Sequence, residues 1–172
     1  GTAIINGIPL AFANVVRRGA IGVVAASGTG LQQVTCLVDR WGSGISQAIG
    51  TGGHDLHRDV GGMSMLQGLK ALAADPSTSV IVLISKPPSP EVASKVLEAA
   101  SGAGKPVVVN FLGANPDRVR RGNIYPAATL EDAAAAAVAL ANGQPPEARR
   151  ASVPPFSITP LAPQQRYVRG LY

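Results

Sequence analysis

Ser27-Gly28-Thr29-Gly30 and Gly52-Gly53-His54 are the stretches of this chain whose residue types and spacing could do chemistry. Each follows an apolar run, Ala20 to Ala26 in the first case and Ile45 to Ile49 in the second. A strand that ends in small residues just before a helix presents free backbone N–H groups at the positive end of the helix dipole. That is a seat for a phosphate or carboxylate. Ser27, Gly28, Thr29 and Gly30 are the expected donors, with Gly52 and Gly53 completing the cradle and Ser27 or Thr29 capping the helix. The competing reading is structural, because such residues also turn and cap without binding anything. Ser-Gly-Thr-Gly is neither a Walker loop nor a G-x-G-x-x-G fingerprint.

The side chains that could add proton transfer or charge are fewer. His54 and His57 lie three apart and precede Arg58, and a metal pair would need a carboxylate such as Asp55 or Asp59 to join them. No metal is expected, and the histidines read either as loop residues making hydrogen bonds or as proton carriers. Arg118, Arg120 and Arg121 form the densest basic cluster, a solvated loop or an anion clamp. His54, Arg118 and Arg120 are therefore weak catalytic candidates.

The elements that must position these residues follow from the apolar pattern. Asn6-Gly7 between two short apolar runs predicts a hairpin with a type I′ turn. The run from Ala20 is buried on both faces, as a central parallel strand requires. Leu31, Val34, Leu37, Val38 and Trp41 recur at helical spacing, stopped by Gly42 and Gly44. After the strand at Ile45–Ile49, Met63, Leu66, Leu69 and Leu72 predict a second helix ending at Asp75-Pro76. Two buried strands follow, Ser79–Ile84 and Lys105–Gly113, separated by a helix that opens on Pro90 and Glu91. Ile124 to Ala127 predicts a short edge strand, and Thr129 caps an alanine-rich helix that closes at Asn142-Gly143. This alternation predicts a three-layer α/β domain.

Composition bounds the remaining choices. A 172-residue chain with 46% hydrophobic and 15% charged residues has room for one real core and is not generally disordered. The net charge of +5 invites a nucleic-acid reading, but three Tyr, three Phe and one Trp with scattered arginines argue against it. A small anionic substrate or an acidic partner surface suits the charge better. Cys36 is the only cysteine, so no internal disulfide is expected, and no stretch approaches a membrane span or a signal peptide. A cytoplasmic location and no membrane partner are expected. The organisation expected is a hairpin over residues 1–19, leading from an upstream domain, then a domain over residues 20–143. Residues 144–172 read as a proline-rich linker before a downstream domain. Within it, Val153 to Leu161 is expected to lie as an extended strap against its own domain or a second copy.

The order of the motifs carries a resemblance. Gly22-Val23-Val24-Ala25-Ala26-Ser27-Gly28-Thr29-Gly30, then Gly50-Thr51-Gly52-Gly53-His54-Asp55, then Asp75-Pro76 and two buried strands resemble one domain of the succinyl-CoA synthetase α subunit. That domain is its second, flavodoxin-like one, shared with related NDP-forming acyl-CoA synthetases. The chain looks more closely like the FdrA family, on Gly1-Thr2-Ala3-Ile4-Ile5, Ser27-Gly28-Thr29-Gly30, Ala48-Ile49-Gly50-Thr51-Gly52-Gly53 and Ser85-Lys86-Pro87-Pro88. The similarity covers Gly1 to Gly143 and resumes over Gln164 to Tyr172.

The resemblance implies a flavodoxin-like three-layer fold with a parallel sheet of four to five strands. It also implies that Ser27-Gly28-Thr29 corresponds to the helix start that seats the phosphate of a phosphohistidine. Lys86-Pro87-Pro88 stands where the synthetase has a supporting glutamate, and Phe111-Leu112-Gly113-Ala114-Asn115-Pro116 carries no histidine where the synthetase has its own. The implied function is then a subunit without phosphohistidine, a carbamoyltransferase of the oxamate and carbamoyl phosphate type in purine-derived nitrogen catabolism, with partner subunits or as a homo-oligomer. An acyl-CoA synthetase using CoA and nucleotide, bound mainly by regions outside this chain, and a non-catalytic scaffold remain as alternatives.

Overall fold

The computed structural model describes residues 1–115 and 119–146. Its elements are, in order, β1 (Thr2–Ile5), β2 (Ile8–Ala11), β3 (Arg18–Ala25), α1 (Gly28–Arg40), β4 (Ile45–Gly50) and α2 (Met63–Ala74). They continue with β5 (Val80–Ser85), α3 (Pro90–Ser101), β6 (Val107–Phe111), β7 (Ile124–Pro126) and α4 (Leu130–Ala141). The strands form one sheet in the order β2-β1-β4-β3-β5-β6-β7. Strands β4, β3, β5, β6 and β7 are parallel, and their order is the flavodoxin-like 2-1-3-4-5 once the hairpin is set aside. The hairpin is not set apart from this sheet. Its β1 pairs antiparallel with β4, with Ala3 opposite Ile49, so two strands extend the parallel five to seven. Pro9 sits on the outermost strand, where a missing N–H costs no ladder bond.

Two cores follow from the two-residue period of the strands. Val23 of β3, Val82 and Ile84 of β5 and Val108 of β6 face α1 and α4; Val24, Ile81, Leu83 and Val109 face α2 and α3. Fully burying each such side chain contributes about 1.5–3 kcal/mol before entropy is charged against it. Helix α2 buries Met65, Leu69 and Leu72, whereas Met63 is exposed and Leu66 half-buried, so the inward stripe runs from Met65 rather than Met63. Gly68 in mid-helix lets α2 lie close to the sheet. A Cβ there would come within 2.9 Å of the Val24 side chain.

The loop between β4 and α2 is held by a carboxylate. Asp55 is buried, and its two oxygens accept the backbone N–H groups of Ser64 and Met65 at 2.9 and 2.8 Å. It therefore caps α2 across nine and ten residues, in place of the Gly62 N-cap, which has no side chain to do so. Asp55→Ala is expected to lower stability by about 1–3 kcal/mol by leaving those donors unmet. Denaturant midpoints check this, with amide exchange in residues 52–62 accelerating in the variant.

At the amino ends of the strands lies a polar network. Asp75 accepts the Ser77 N–H and hydroxyl, the Thr78 hydroxyl and the Gln47 amide. Since Thr78 gives its proton to Asp75, the buried Ser46 hydroxyl is the donor in the 2.6 Å contact with Thr78. Lys105 Nζ donates to the Leu72 and Asp75 carbonyls at the end of α2. The Ser77 N–H above all, with the hydroxyls and amide behind it, holds the Asp75 carboxyl down to about 2 against a desolvation that raises it. Its stabilising contribution is thus complete above the ordinary carboxylate range near pH ~4 and is lost as pH falls toward about 2. The stability of Asp75→Asn is expected to change less across that window, as urea melts at stepped pH would show.

The expected strap, Val153 to Leu161, lies outside the described residues, as does Arg118.

Candidate functional site

The strand ends are level because β3 sits between β4 and β5 in register, with Ala25 opposite Gly50 on one side and Ile84 on the other. Three loops therefore meet at the carboxyl edge. Thr51 donates its N–H to the Ala25 carbonyl at 2.8 Å, and Ala26 donates to Ile84 at 2.9 Å. A Cβ on Gly53 would lie 3.9 Å from the Ala26 carbonyl, so the two glycine-rich stretches are side by side. The chain passes from β3 outward to β4 and then back across to β5. Ligands of open α/β sheets bind at such a reversal of strand order.

Ser27 is the N-cap of α1, in an extended conformation (φ −113, ψ 111), and its hydroxyl accepts the Gly30 N–H at 3.1 Å. Gly30 is buried against Ile84 and has given its N–H to that cap, so it is not a donor to a ligand. Thr29 does not cap; it is exposed in the first turn of the helix. Among the described residues, the backbone N–H groups of Gly28 and Thr29 have no protein partner, as expected for the first positions of a helix.

The charge at this helix end differs from that at the others. Helix α3 carries Glu91 in its first turn, α4 carries Glu131 and Asp132, and α2 is capped by the Asp55 carboxylate. The first turn of α1 has no acidic residue. Its dipole end is uncompensated by the helix's own side chains. On the neighbouring strand, Lys86 follows the end of β5 directly and is exposed. Adjacent strands are about 5 Å apart. Lys86 was not among the expected binding residues. The signal for it was topological, since only the adjacency of β3 and β5 puts its loop next to the one that carries Ser27.

The other candidates are distributed around this seat. Gly52 (φ +91) and Gly53 are exposed beside it. The rings of His54 and His57 are 4.7 Å apart between centroids, and both are exposed. Asp55 is buried and gives both its oxygens to the Ser64 and Met65 N–H groups, and Asp59 is exposed. No group of three or more metal-ligating side chains occurs among the described residues. Arg120 is exposed on the connection from β6, the strand next beyond β5, to the edge strand β7, and neither of these strands adjoins β3.

Between the ends of β5 and β6 a groove of about 600 Å³ opens, walled by Pro87, Pro88, Phe111, Leu112 and Val119, with Arg121 on its margin. Its size falls within the range of small-molecule sites. The groove lies on the β5 and β6 side of the edge and none of Ser27, Gly28, Thr29 and Gly30 lines it.

Residues 16–113, more than half of the chain, match the CoA binding domain family. The chain is also 46% identical to "Uncharacterized protein YahF" of Escherichia coli (strain K12), over 100% of this chain and 34% of that protein. Two solved structures share the fold. PH0766 from Pyrococcus horikoshii OT3 aligns with a TM-score of 0.61 at 17% identity, over 78% of this chain and 31% of that one. The dinucleotide forming acetyl-coenzyme A synthetase 1 of Ca. Korarchaeum cryptofilum, solved with phosphate and ADP, aligns with a TM-score of 0.57 at 20% identity, over 76% of this chain and 32% of that one. The chain thus spans about a third of the length of each of these proteins. No helix among the described residues is long and apolar enough to cross a membrane. Its sequence over residues 16–113 places the chain in the CoA-binding domain family.

Proposed function

We propose that this domain seats a phosphate group between the ends of β3 and β5, as the anion-binding part of a longer enzyme that handles acyl or carbamoyl phosphates or CoA. The observation that carries this reading is the start of α1, which has two unpartnered N–H groups and no carboxylate of its own, with a lysine at the adjoining strand end. A phosphate there would accept both N–H bonds and offset the dipole, and charge-assisted bonds of this kind are the strong ones. The apolar groove would hold the organic part of the same molecule, with Arg121 offering charge at its margin.

CoA combines phosphates with a partly apolar pantetheine arm, and an acyl phosphate combines a phosphate with an acyl group, so both fit the donor set. When CoA is bound, its thiol is the acyl acceptor. The chain's own residues then orient and stabilise. An acceptor attacks the acyl or carbamoyl carbon of the bound phosphate compound, the carbon–oxygen bond to phosphate breaks, and the departing phosphate keeps the electron pair. The Gly28 and Thr29 N–H groups and Lys86 stabilise the charge that develops on that phosphate. No nucleophile from this chain is needed, which agrees with the lack of histidine in residues 111–115. The FdrA likeness favours a carbamoyl donor; membership in the CoA-binding family favours acyl chemistry.

Gly28→Pro tests the seat with little effect on folding. Ser27 already has the extended backbone required before proline, and the first helical position tolerates a residue without N–H. Calorimetric titration with acetyl phosphate, carbamoyl phosphate and CoA is expected to show binding of at least one to the wild type. The variant should bind it about tenfold more weakly. Equal affinity in both proteins would overturn the seat, and no binding of any of the three would favour a scaffold. Incubation with labelled nucleoside triphosphate is expected to leave no phosphohistidine, and a stable label on His54 or His57 would contradict the direct-transfer reading.

A further inference from the structure

We propose that His54 and His57 form a two-imidazole site for a first-row divalent cation of the Ni²⁺ or Cu²⁺ class. This site is separate from the phosphate seat, which uses neither histidine.

The spacing of the rings is the first observation that carries it. Their centroids are 4.7 Å apart and their planes are tilted by 52°. A metal ion binds an imidazole nitrogen at about 2.0–2.1 Å, so along that bond it lies about 3.2 Å from the ring centroid. Two centroids 4.7 Å apart then subtend about 95° at such an ion. That is the angle between adjacent ligands of a square-planar or octahedral ion, and it is narrower than the ~109° of a tetrahedral one. Nickel and copper take the first geometries with nitrogen and oxygen ligands, whereas zinc sites in proteins are mostly tetrahedral.

Both rings are also unspent and stand on a fixed backbone. They are exposed, and neither imidazole makes a hydrogen bond among the described residues. The His57 N–H donates to the His54 carbonyl at 3.0 Å, and the Gly61 N–H donates to the His57 carbonyl at 2.8 Å. Between the two histidines, Asp55 and Leu56 are buried. Asp55 is tied to Ser64 and Met65, and the Leu56 carbonyl accepts the Ser89 N–H at 3.2 Å. The backbone that presents the pair is thus ordered before an ion arrives, and only the two side chains lose freedom on binding.

The sequence asks for a carboxylate beside these histidines, and the structure supplies none. Asp55 is spent on α2, and no third ligating side chain joins the rings among the described residues. An ion held by two imidazoles alone keeps positions open for water or for an anionic oxygen. The neighbouring charges do not oppose it, since Arg58 is paired with Glu91 at 2.6 Å and Asp59 brings a negative charge two residues from His57. Gly53, which precedes His54, adjoins the Ala26 carbonyl, so the pair stands on the loop next to the one that carries Ser27.

The chain has two histidines in all, so the untagged protein isolates this pair. Calorimetric titration of the 172-residue chain with Ni²⁺ is expected to show one saturable site, and Mg²⁺, which prefers oxygen ligands, none. His54→Gln and His57→Gln replace exposed side chains and should each weaken Ni²⁺ binding about tenfold or more, with the far-ultraviolet circular dichroism unchanged. Cys36→Ser should bind as the wild type does, which separates the pair from the exposed thiol. Paramagnetic Ni²⁺ should broaden the proton signals of both imidazoles together. The absence of saturable Ni²⁺ binding would overturn the proposal, as would its loss in Cys36→Ser. So would single histidine variants that halve the stoichiometry without loss of affinity, because the two rings would then bind ions independently.

Discussion

Strand β3 must be buried on both faces and bonded on both edges, and the rest of the domain depends on meeting that requirement. Its residues Ile21, Val23, Val24 and Ala25 are fully buried. Helices have to cover both sides, and parallel partners have to stand on both edges, which right-handed crossovers supply in the order β4-β3-β5. Because the three strands are in register, they end together. The meeting of the Ser27, Thr51 and Lys86 loops is a consequence of satisfying β3's backbone and side chains.

Close backbone approach is what allows this packing, and it explains glycines that local propensity would disfavour. Gly19 and Gly44 face each other where β3 and β4 begin, and a Cβ on either would come within 2.5 Å of the other strand's backbone. Gly22 on β3 sits under Leu72, and Gly68 on α2 sits over Val24, so helix and sheet each give up a side chain for the other. Glycine inside a helix costs about 1 kcal/mol relative to alanine. Here that cost is offset by the burial of Leu69 and Leu72.

The polar groups are divided between the two ends of the sheet. At the amino ends, Asp75, Ser77, Thr78, Ser46 and Lys105 satisfy one another and the exposed carbonyls of α2. At the carboxyl ends, Asp55 spends its carboxylate on α2, and Glu91 pairs with Arg58 at 2.6 Å on the surface. Acidic side chains thereby answer the starts of α2, α3 and α4, whereas the first turn of α1 carries none.

What the sequence determined by itself is everything that acts within a few residues along the chain. The Asn6-Gly7 turn, the Ser27 cap, the proline at the start of α3 and the Thr129 cap are each written in contiguous residues, and each is found. The all-apolar runs Val80–Ile84 and Val107–Val109 likewise announced strands buried on both faces, since no other element hides every side chain in turn. Strand neighbours, in contrast, are chosen by the packing of the whole sheet. The pairing of the hairpin with β4, the reach of Asp55 to Ser64 and Met65, and the adjacency of β3 and β5 that sets the Lys86 loop next to the Ser27 loop all depend on it. Those contacts join residues that are distant in sequence or bound by no periodic pattern. Only closing the sheet, which buries β3 and orders its edges, decides them.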